Sequence, residues 1–166
     1  MKVLMLTADG FEDSEMYYPY YRILEEGGEV DVASVKAGAV TGKHGYVFDA
    51  GKAFSDVRPA DYDALVIPGG KAPEKVRLDE DAVAAAREIF EAGKPVAAIC
   101  HGGQVLISAG VVRGRKVTGV KGIRDDLTAA GADYLDKEVV VDGNLITSRH
   151  PADLPAFARE IIKALG

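Results

Sequence analysis

The chain has little cysteine and no long hydrophobic run. Cys100 is the single cysteine among 166 residues, so no disulfide can form within the chain. A protein without disulfides suits a reducing compartment, and we expect a cytoplasmic location. No stretch approaches the roughly eighteen apolar residues of a membrane helix, and the apolar start after Met1 is too short for a signal peptide. We therefore expect neither membrane association nor secretion.

Positive charge is also scarce. The chain holds 20 Lys and Arg against 26 Asp and Glu, which gives a net charge of −6, and its basic residues form no stripe. This balance argues against nucleic-acid binding. The three histidines and the cysteine are widely spaced and show no zinc-ligand pattern, so the sequence predicts no metal and no cofactor.

Short apolar runs alternate with helical patterns along the whole chain. The length suits one domain over residues 1–166. Predicted strands are Lys2–Thr7, Glu29–Val35, Tyr62–Ile67, Pro95–Ile99, Glu138–Asp142 and Asn144–Ser148, with a hairpin-like excursion over Gly38–Phe54. Predicted helices are Glu12–Glu26, Asp79–Ala92, His101–Ala109, Ile123–Ala130 and Pro151–Leu165. This alternation predicts an α/β three-layer sandwich, flavodoxin-like or Rossmann-like, with a mostly parallel sheet and helices on both faces.

Three loops after predicted strands carry reactive side chains. They are Ala8–Glu12, Gly69–Glu74 and Cys100–Gly103. Ligands of such folds bind beyond the carboxyl ends of the strands. If the three strands are neighbours, these loops meet at one edge of the sheet and bring a thiol, an imidazole, carboxyls and paired glycines together.

Cys100 stands between a buried strand and an immediate helix, which predicts a tight and strained turn resembling a nucleophile elbow. A helix N-terminus next to the sulfur is expected to lower the thiol pKa and so to favour the thiolate. The alternative is that Cys100 is a small buried core residue. The neighbouring histidine and the converging loops favour a nucleophile.

Four further residues complete the predicted site. His101 can exchange a proton with the thiol or the leaving group, and its backbone N–H and that of Gly70 are candidate oxyanion donors. Glu12 helps a thiolate only if it is protonated and donates a hydrogen bond, so we hypothesise a buried Glu12 with a raised pKa. Glu74 can orient His101 as a third member of a triad, although an exposed loop acid is the simpler interpretation.

Seven segments along the chain form a recognisable set: Phe11–Asp13, Thr41–Gly45, Ile67–Gly70, Ala72–Glu74, Ala98–Gly102, Ser148–Arg149 and Pro151–Leu154. With these segments the sequence resembles the PfpI/ThiJ family, within the class I glutamine amidotransferase-like superfamily, over essentially its whole length. The likeness is greatest to archaeal-type intracellular protease I.

The resemblance implies Cys100 as the nucleophile, a hydrogen bond from Glu12 to its sulfur, and assistance by His101. It also implies that Glu74 reaches His101 from a neighbouring subunit, in dimers or trimers of dimers. The tyrosine-rich segment Tyr17–Tyr21 fits such an interface, or else packs on the domain's own surface.

Two positions depart from the family's pattern. Gly103 stands where proline often follows the Cys-His-Gly motif, and Val120 stands where a tyrosine sometimes lines the pocket. Val120, Gly69 and Gly70 are the residues predicted to contact substrate. Both departures bear on substrate preference more than on the nucleophile.

Several functions share this nucleophile. The first is glutathione-independent conversion of small carbonyl compounds, of the glyoxalase or deglycase type. The second is peptide hydrolysis by an oligomer, and the third is a redox-sensing or chaperone-like role in stress. Amidotransfer is less favoured, because late in the chain His150 is followed by Pro151 and Ala152 instead of the superfamily's His-x-Glu.

Overall fold

The computed structural model describes all 166 residues and contains eleven strands. In chain order these are β1 (Lys2–Leu6), β2 (Glu29–Ser34), β3 (Gly38–Thr41), β4 (Val47–Ala50), β5 (Lys52–Ala53), β6 (Ala64–Ile67), β7 (Val96–Ile99), β8 (Lys116–Val117), β9 (Asp133–Tyr134), β10 (Val140–Asp142) and β11 (Leu145–Ser148). Every strand predicted from the sequence is present, within two residues at each end. The very short β5, β8 and β9 carry no apolar run long enough to be predicted.

Six α-helices and several 3₁₀ turns connect the strands. The helices are α1 (Asp13–Glu25), α2 (Ala72–Val76), α3 (Glu80–Glu91), α4 (Gly103–Ala109), α5 (Arg124–Ala129) and α6 (Leu154–Leu165). Asp79 caps α3 as expected, because its carboxylate accepts a hydrogen bond from the backbone N–H of Ala82 at 3.0 Å. Helix α2 is the one α-helix that the sequence did not predict. None of the helices combines the length and the hydropathy that a membrane-spanning segment needs.

Seven strands form the central sheet in the order β10-β11-β7-β6-β1-β2-β5. All neighbouring pairs are parallel except β10 with β11, the predicted terminal hairpin. The five main parallel strands, counted along the chain, stand in the order second, first, third, fourth, fifth. That order is the flavodoxin-like one, so the predicted fold class is confirmed.

Helices cover both faces of this sheet. Helix α1 packs against α6, whereas α3 packs against α4. The central strands β1, β6 and β7 are apolar and almost completely buried, which explains their continuous hydrophobic runs. The excursion after β2 is the antiparallel hairpin β3–β4, as predicted. Because β1, β6 and β7 are adjacent, their carboxyl ends meet at one edge.

Candidate active site

The loops after β1, β6 and β7 meet at that edge, as the sequence predicts. An isolated bridge pairs Phe11 with Gly70, and the Glu12 N–H donates to the Gly69 carbonyl at 3.1 Å. Gly69 lies against the cysteine: a Cβ added there would come 2.7 Å from the Cys100 Cβ and 2.5 Å from Glu15 Oε2. Only glycine allows this approach, so Gly69 sets the spacing of the thiol and a carboxyl.

Cys100 occupies a strained turn, as expected for an elbow. Its φ of 60° makes it the only non-glycine residue with a positive φ in the chain. Such a conformation costs roughly 1–3 kcal/mol and persists only where the surroundings enforce it. A 3₁₀ turn over Cys100–Gly102 then leads directly into α4. This backbone conformation places the sulfur at the carboxyl end of β7, where the backbone N–H groups of Gly70 and His101 donate to it.

Glu15 is the acid that lies beside the thiol, and the sequence reasoning missed it. Its side chain is completely buried, and its Oε2 accepts a hydrogen bond from the Gly69 N–H at 2.8 Å. The same carboxyl interacts with the Cys100 thiol. Burial raises the pKa of Glu15 to about 7, against the hydrogen bond from Gly69. Near neutral pH this carboxyl can therefore hold a proton next to the sulfur.

Glu12 has a different environment from the one we expected. It is buried, but its Oε2 lies 2.6 Å from Lys43 Nζ, and Ser14 Oγ donates to its Oε1 at 3.1 Å. Burial raises the pKa of Glu12, yet these hydrogen bonds outweigh it and leave the pKa below its ordinary value. The expectation of a raised pKa at Glu12 is therefore wrong, because an ammonium group faces this carboxylate.

The thiol and Glu15 influence each other's ionisation. Burial raises the pKa of Cys100 to about 12, and the charge of ionised Glu15 adds to the increase. The expected lowering by the helix N-terminus is thus wrong for the resting site, since desolvation outweighs it. Backbone N–H groups of Gly70 and His101 act in the opposite direction by donating to the sulfur. Glu15 is hydrogen-bonded to the thiol, and a proton on Glu15 removes the charge that opposes formation of the thiolate.

His101 lies against the sulfur, with Nδ1 3.4 Å from Cys100 Sγ. Burial lowers the pKa of His101, so the imidazole is neutral at pH 7 and can accept a proton. Glu74 is exposed on α2, and no hydrogen bond joins it to His101 within the chain. Val120 is half-buried near the elbow, where its N–H donates to the Cys100 carbonyl at 3.3 Å.

Comparison with known proteins agrees with this arrangement. The model of the DJ-1/PfpI family matches residues 1–164. The chain belongs to the DJ-1/PfpI family. It is 61% identical over 165 residues to a protein from Thermococcus kodakarensis named as a deglycase, and the match covers 99% of both chains. It is 48% identical over 168 residues to protein/nucleic acid deglycase 2 of Escherichia coli, covering 99% of this chain and 98% of that one.

A solved structure shows the same DJ-1/PfpI fold. It is a two-domain protein from Anabaena variabilis with DJ-1/ThiJ/PfpI-like and ferritin-like domains, and it superposes with a TM-score of 0.97 at 42% identity. The match covers 99% of this chain and 48% of that one. The family resemblance inferred from the sequence is confirmed, and the names of the relatives agree with the prediction of an enzyme.

One group near this DJ-1/PfpI site has the spacing of cation ligands. Ligand atoms of Glu12, Asp13 and His44 lie within 4.8 Å of one another. The Glu12 carboxylate already faces Lys43, and both Asp13 oxygens accept backbone hydrogen bonds, from His44 and Tyr46. A cation is thus already supplied to this cluster by the chain's own lysine.

Proposed function

We propose that this protein is a cysteine-dependent deglycase of the DJ-1/PfpI family that acts on small carbonyl compounds and their adducts, with Cys100 as nucleophile. The observation that carries the proposal is the strained Cys100 backbone, which aims the thiol at the buried carboxyl of Glu15. The deglycase names of the relatives support the substrate class. No cofactor enters the proposed reaction.

The proposed chemistry starts with transfer of the thiol proton to Glu15. The sulfur adds to the aldehyde carbon of a compound such as methylglyoxal, and the carbonyl oxygen takes up a proton to give a hemithioacetal. A base, His101 or Glu15, removes the proton from the former aldehyde carbon while the keto oxygen is protonated, which gives an enediol. The hydroxyl on the sulfur-bearing carbon then loses its proton as the neighbouring carbon is protonated, which gives a lactoyl thioester. Water then releases lactate and restores the thiol. Donation by the Gly70 and His101 N–H groups would stabilise the oxyanions.

The first experiment measures lactate formation from methylglyoxal without added glutathione or metal. Wild type is compared with Cys100→Ser, and with Ser55→Ala, an exposed serine after β5, as a control. We expect turnover by wild type and the control, and a loss of roughly a thousandfold or more in Cys100→Ser. Lactate formation that persists in Cys100→Ser contradicts the assignment of the nucleophile.

Peptide hydrolysis is the second candidate, because amide donors directed at the nucleophile also suit an acyl-enzyme. Wild type that makes no lactate but cleaves fluorogenic peptides would favour it, provided that Cys100→Ser loses the cleavage. A redox or chaperone role is distinguished by mass analysis after mild peroxide treatment: oxidation confined to Cys100 without either turnover favours that role.

We further propose that the protein works as a homo-oligomer. Tyr17 and Tyr20 pack on the hairpin residue Phe48, with ring centroids 5.3 and 4.9 Å apart, but Tyr21 and Tyr46 remain 60% and 64% exposed beside them. Exposed aromatic clusters are typical of interfaces. Light scattering of wild type against Tyr21→Ser checks the assembly, with a smaller mass expected for the variant.

Glu74 belongs to the same proposal. It is exposed and lacks a hydrogen bond to its own His101, so we propose that it acts on the His101 of a neighbouring subunit. Mixed oligomers of inactive Cys100→Ser and weakened Glu74→Gln subunits test this. Activity above the sum of the separate variants is expected, since the Cys100→Ser subunit supplies an intact Glu74. Strict additivity would contradict a role across the interface.

A further inference from the structure

Asp13 is a buried carboxyl group that forms no ion pair of its own. It is only 5% exposed, and no side-chain nitrogen of a lysine, arginine or histidine lies within 4.0 Å of its carboxylate, although the His44 ring lies within 4.8 Å. Its oxygens instead accept hydrogen bonds from the backbone N–H groups of His44 at 2.9 Å and Tyr46 at 3.0 Å. Burying a charge is costly unless hydrogen bonds compensate for it, so this carboxylate is held there by the loop that it binds.

That loop joins β3 to β4 and lies against the start of α1. The Lys43 N–H donates to the Phe11 carbonyl at 2.9 Å. Gly42 packs so closely on Asp13 that an added Cβ would come 2.4 Å from Oδ1, so any larger residue there would force the Asp13 side chain to move. The loop is therefore fixed to the helix by its backbone, independently of the Lys43 side chain.

The fixed loop places Lys43 beside the carboxylate of Glu12, at the edge of the candidate site. Its Nζ lies 2.6 Å from Glu12 Oε2, and its ammonium group also acts electrostatically on Cys100 and Glu15. Hydrogen bonding to Glu12 raises the pKa of Lys43, so the ammonium stays charged across the neutral range. The ionisable side chains of the site are Glu12, Glu15, Lys43, His44, Glu74 and His101, and of these Glu15 and His101 contact the sulfur.

We propose that Lys43 is a positioning residue for the reaction of Cys100: held over Glu12 by the Asp13-anchored loop, it neutralises that carboxylate so that the pocket can accept the negative charge of the thiolate. Three acidic groups, Glu12, Glu15 and the thiol, lie close together in a poorly solvated site. Like charges oppose ionisation, so compensating the charge of Glu12 favours the thiolate. The proposal concerns the site of the proposed function and rests on Cys100 being the reactive group.

The test follows the alkylation of Cys100 by iodoacetamide as a function of pH, which needs no substrate. In Lys43→Met the uncompensated Glu12 charge should move the profile to higher pH by about half to one unit, so the rate at pH 7 falls about three- to tenfold. Glu12→Gln alone should move it to lower pH, because the ammonium then faces the thiol without a counter-charge. Lys43→Arg should behave like wild type.

The double variant Glu12→Gln/Lys43→Met distinguishes charge compensation from a structural role. It removes both charges, so its profile should return towards that of wild type, although two contacts are lost. Asp13→Asn should reproduce part of the Lys43→Met shift by loosening the loop, and its circular dichroism spectrum reports whether it is folded. Lys163→Met, an exposed lysine on α6, is the matched control and should leave the profile unchanged.

Two outcomes would overturn the proposal. One is a Lys43→Met profile that coincides with wild type, and the other is a double variant that shifts as far as Lys43→Met alone. Failure of the proposed function is separate from either: an enzyme that makes no lactate can still show the predicted alkylation shifts. If lactate is formed but the pH profile of alkylation is the same in Lys43→Met as in wild type, only the charge-compensation proposal fails.

Discussion

Glu12 and Glu15 lie one helical turn apart at the start of α1, yet they occupy opposite environments. Glu15 is fully buried, with the Gly69 amide and the Cys100 thiol as neighbours, and we call this inner part of the site its floor. Glu12 is 7% exposed and pairs with Lys43, and we call this outer part of the site its mouth. The pKa of Glu15 is raised to about 7, whereas that of Glu12 falls below its ordinary value.

The difference shows that burial alone does not decide the protonation of an acid. Both carboxyls are desolvated, and desolvation raises the pKa of each. An ammonium group within 3 Å reverses the outcome for Glu12. Only the unpaired acid on the floor can hold a proton for the thiolate near neutral pH.

The largest expected effect is on lactate formation, which should depend strongly on Glu15 and weakly on Glu12. Glu15→Gln should reduce lactate formation by roughly a hundredfold to ten-thousandfold, because the amide cannot take the thiol proton. Glu12→Gln should change it less than about tenfold, since that carboxylate does not face the sulfur. The comparison of kcat for the two variants checks this. Equal losses in both would show that the floor and the mouth do not differ in function.

The pH dependence of stability tests the raised pKa of Glu15. The folded protein holds this proton more tightly than the unfolded chain does, so the contribution of Glu15 to stability is greatest below about pH 4.5 and is lost as the pH rises to about 7. The loss is on the order of 2–3 kcal/mol. Urea unfolding at pH 5 and pH 7.5 should show a smaller decrease in Glu15→Gln than in wild type. Parallel decreases would contradict a buried, protonated Glu15.

A substitution at Gly69 tests whether the close approach of Glu15 and Cys100 is needed for activity. Gly69→Ala places a methyl group against Glu15 Oε2 and the Cys100 Cβ, at 2.5 and 2.7 Å, so both must move. We expect destabilisation by about 1–3 kcal/mol together with a loss of activity. Gly122→Ala is the matched control, because its added Cβ meets no atom within 4 Å. Thermal unfolding and turnover of the two variants check the expectation, which an active, stable Gly69→Ala protein would disprove.

The smallest expected effect is the contribution of Glu12 to the pH dependence of stability, which runs in the opposite direction to that of Glu15. Its lowered pKa means that its contribution to stability is present above about pH 4.5 and is lost as the pH falls further. Glu12→Gln should therefore flatten the acid limb of the stability curve by less than about 1 kcal/mol and leave the range from pH 5 to 7.5 unchanged. Unfolding midpoints between pH 3 and pH 5 measure this. A change confined to neutral pH would indicate that the assignments of the two acids are exchanged.

The fold and part of the site could be predicted from local signals. Buried parallel strands require continuous apolar runs, and β1, β6 and β7 have them. A cysteine directly between such a strand and a helix must turn sharply, and the positive φ of Cys100 confirms this. Local signals could not show that Glu15, and not Glu12, lies beside the thiol. Both acids belong to one predicted helical segment, and no sequence pattern tells a buried acid from an exposed one.

By itself, the sequence determined the order of strands and helices, the edge where three loops meet and the position of Cys100, because these depend on patterns of neighbouring residues. Only the tertiary structure decided which acid faces the thiol. That choice depends on the rotation of α1 against the sheet and on a loop from the β3–β4 hairpin about 30 residues later in the chain, which brings Lys43 to Glu12. The pKa of a carboxyl is set by the atoms around it, and those atoms come together only in the folded chain.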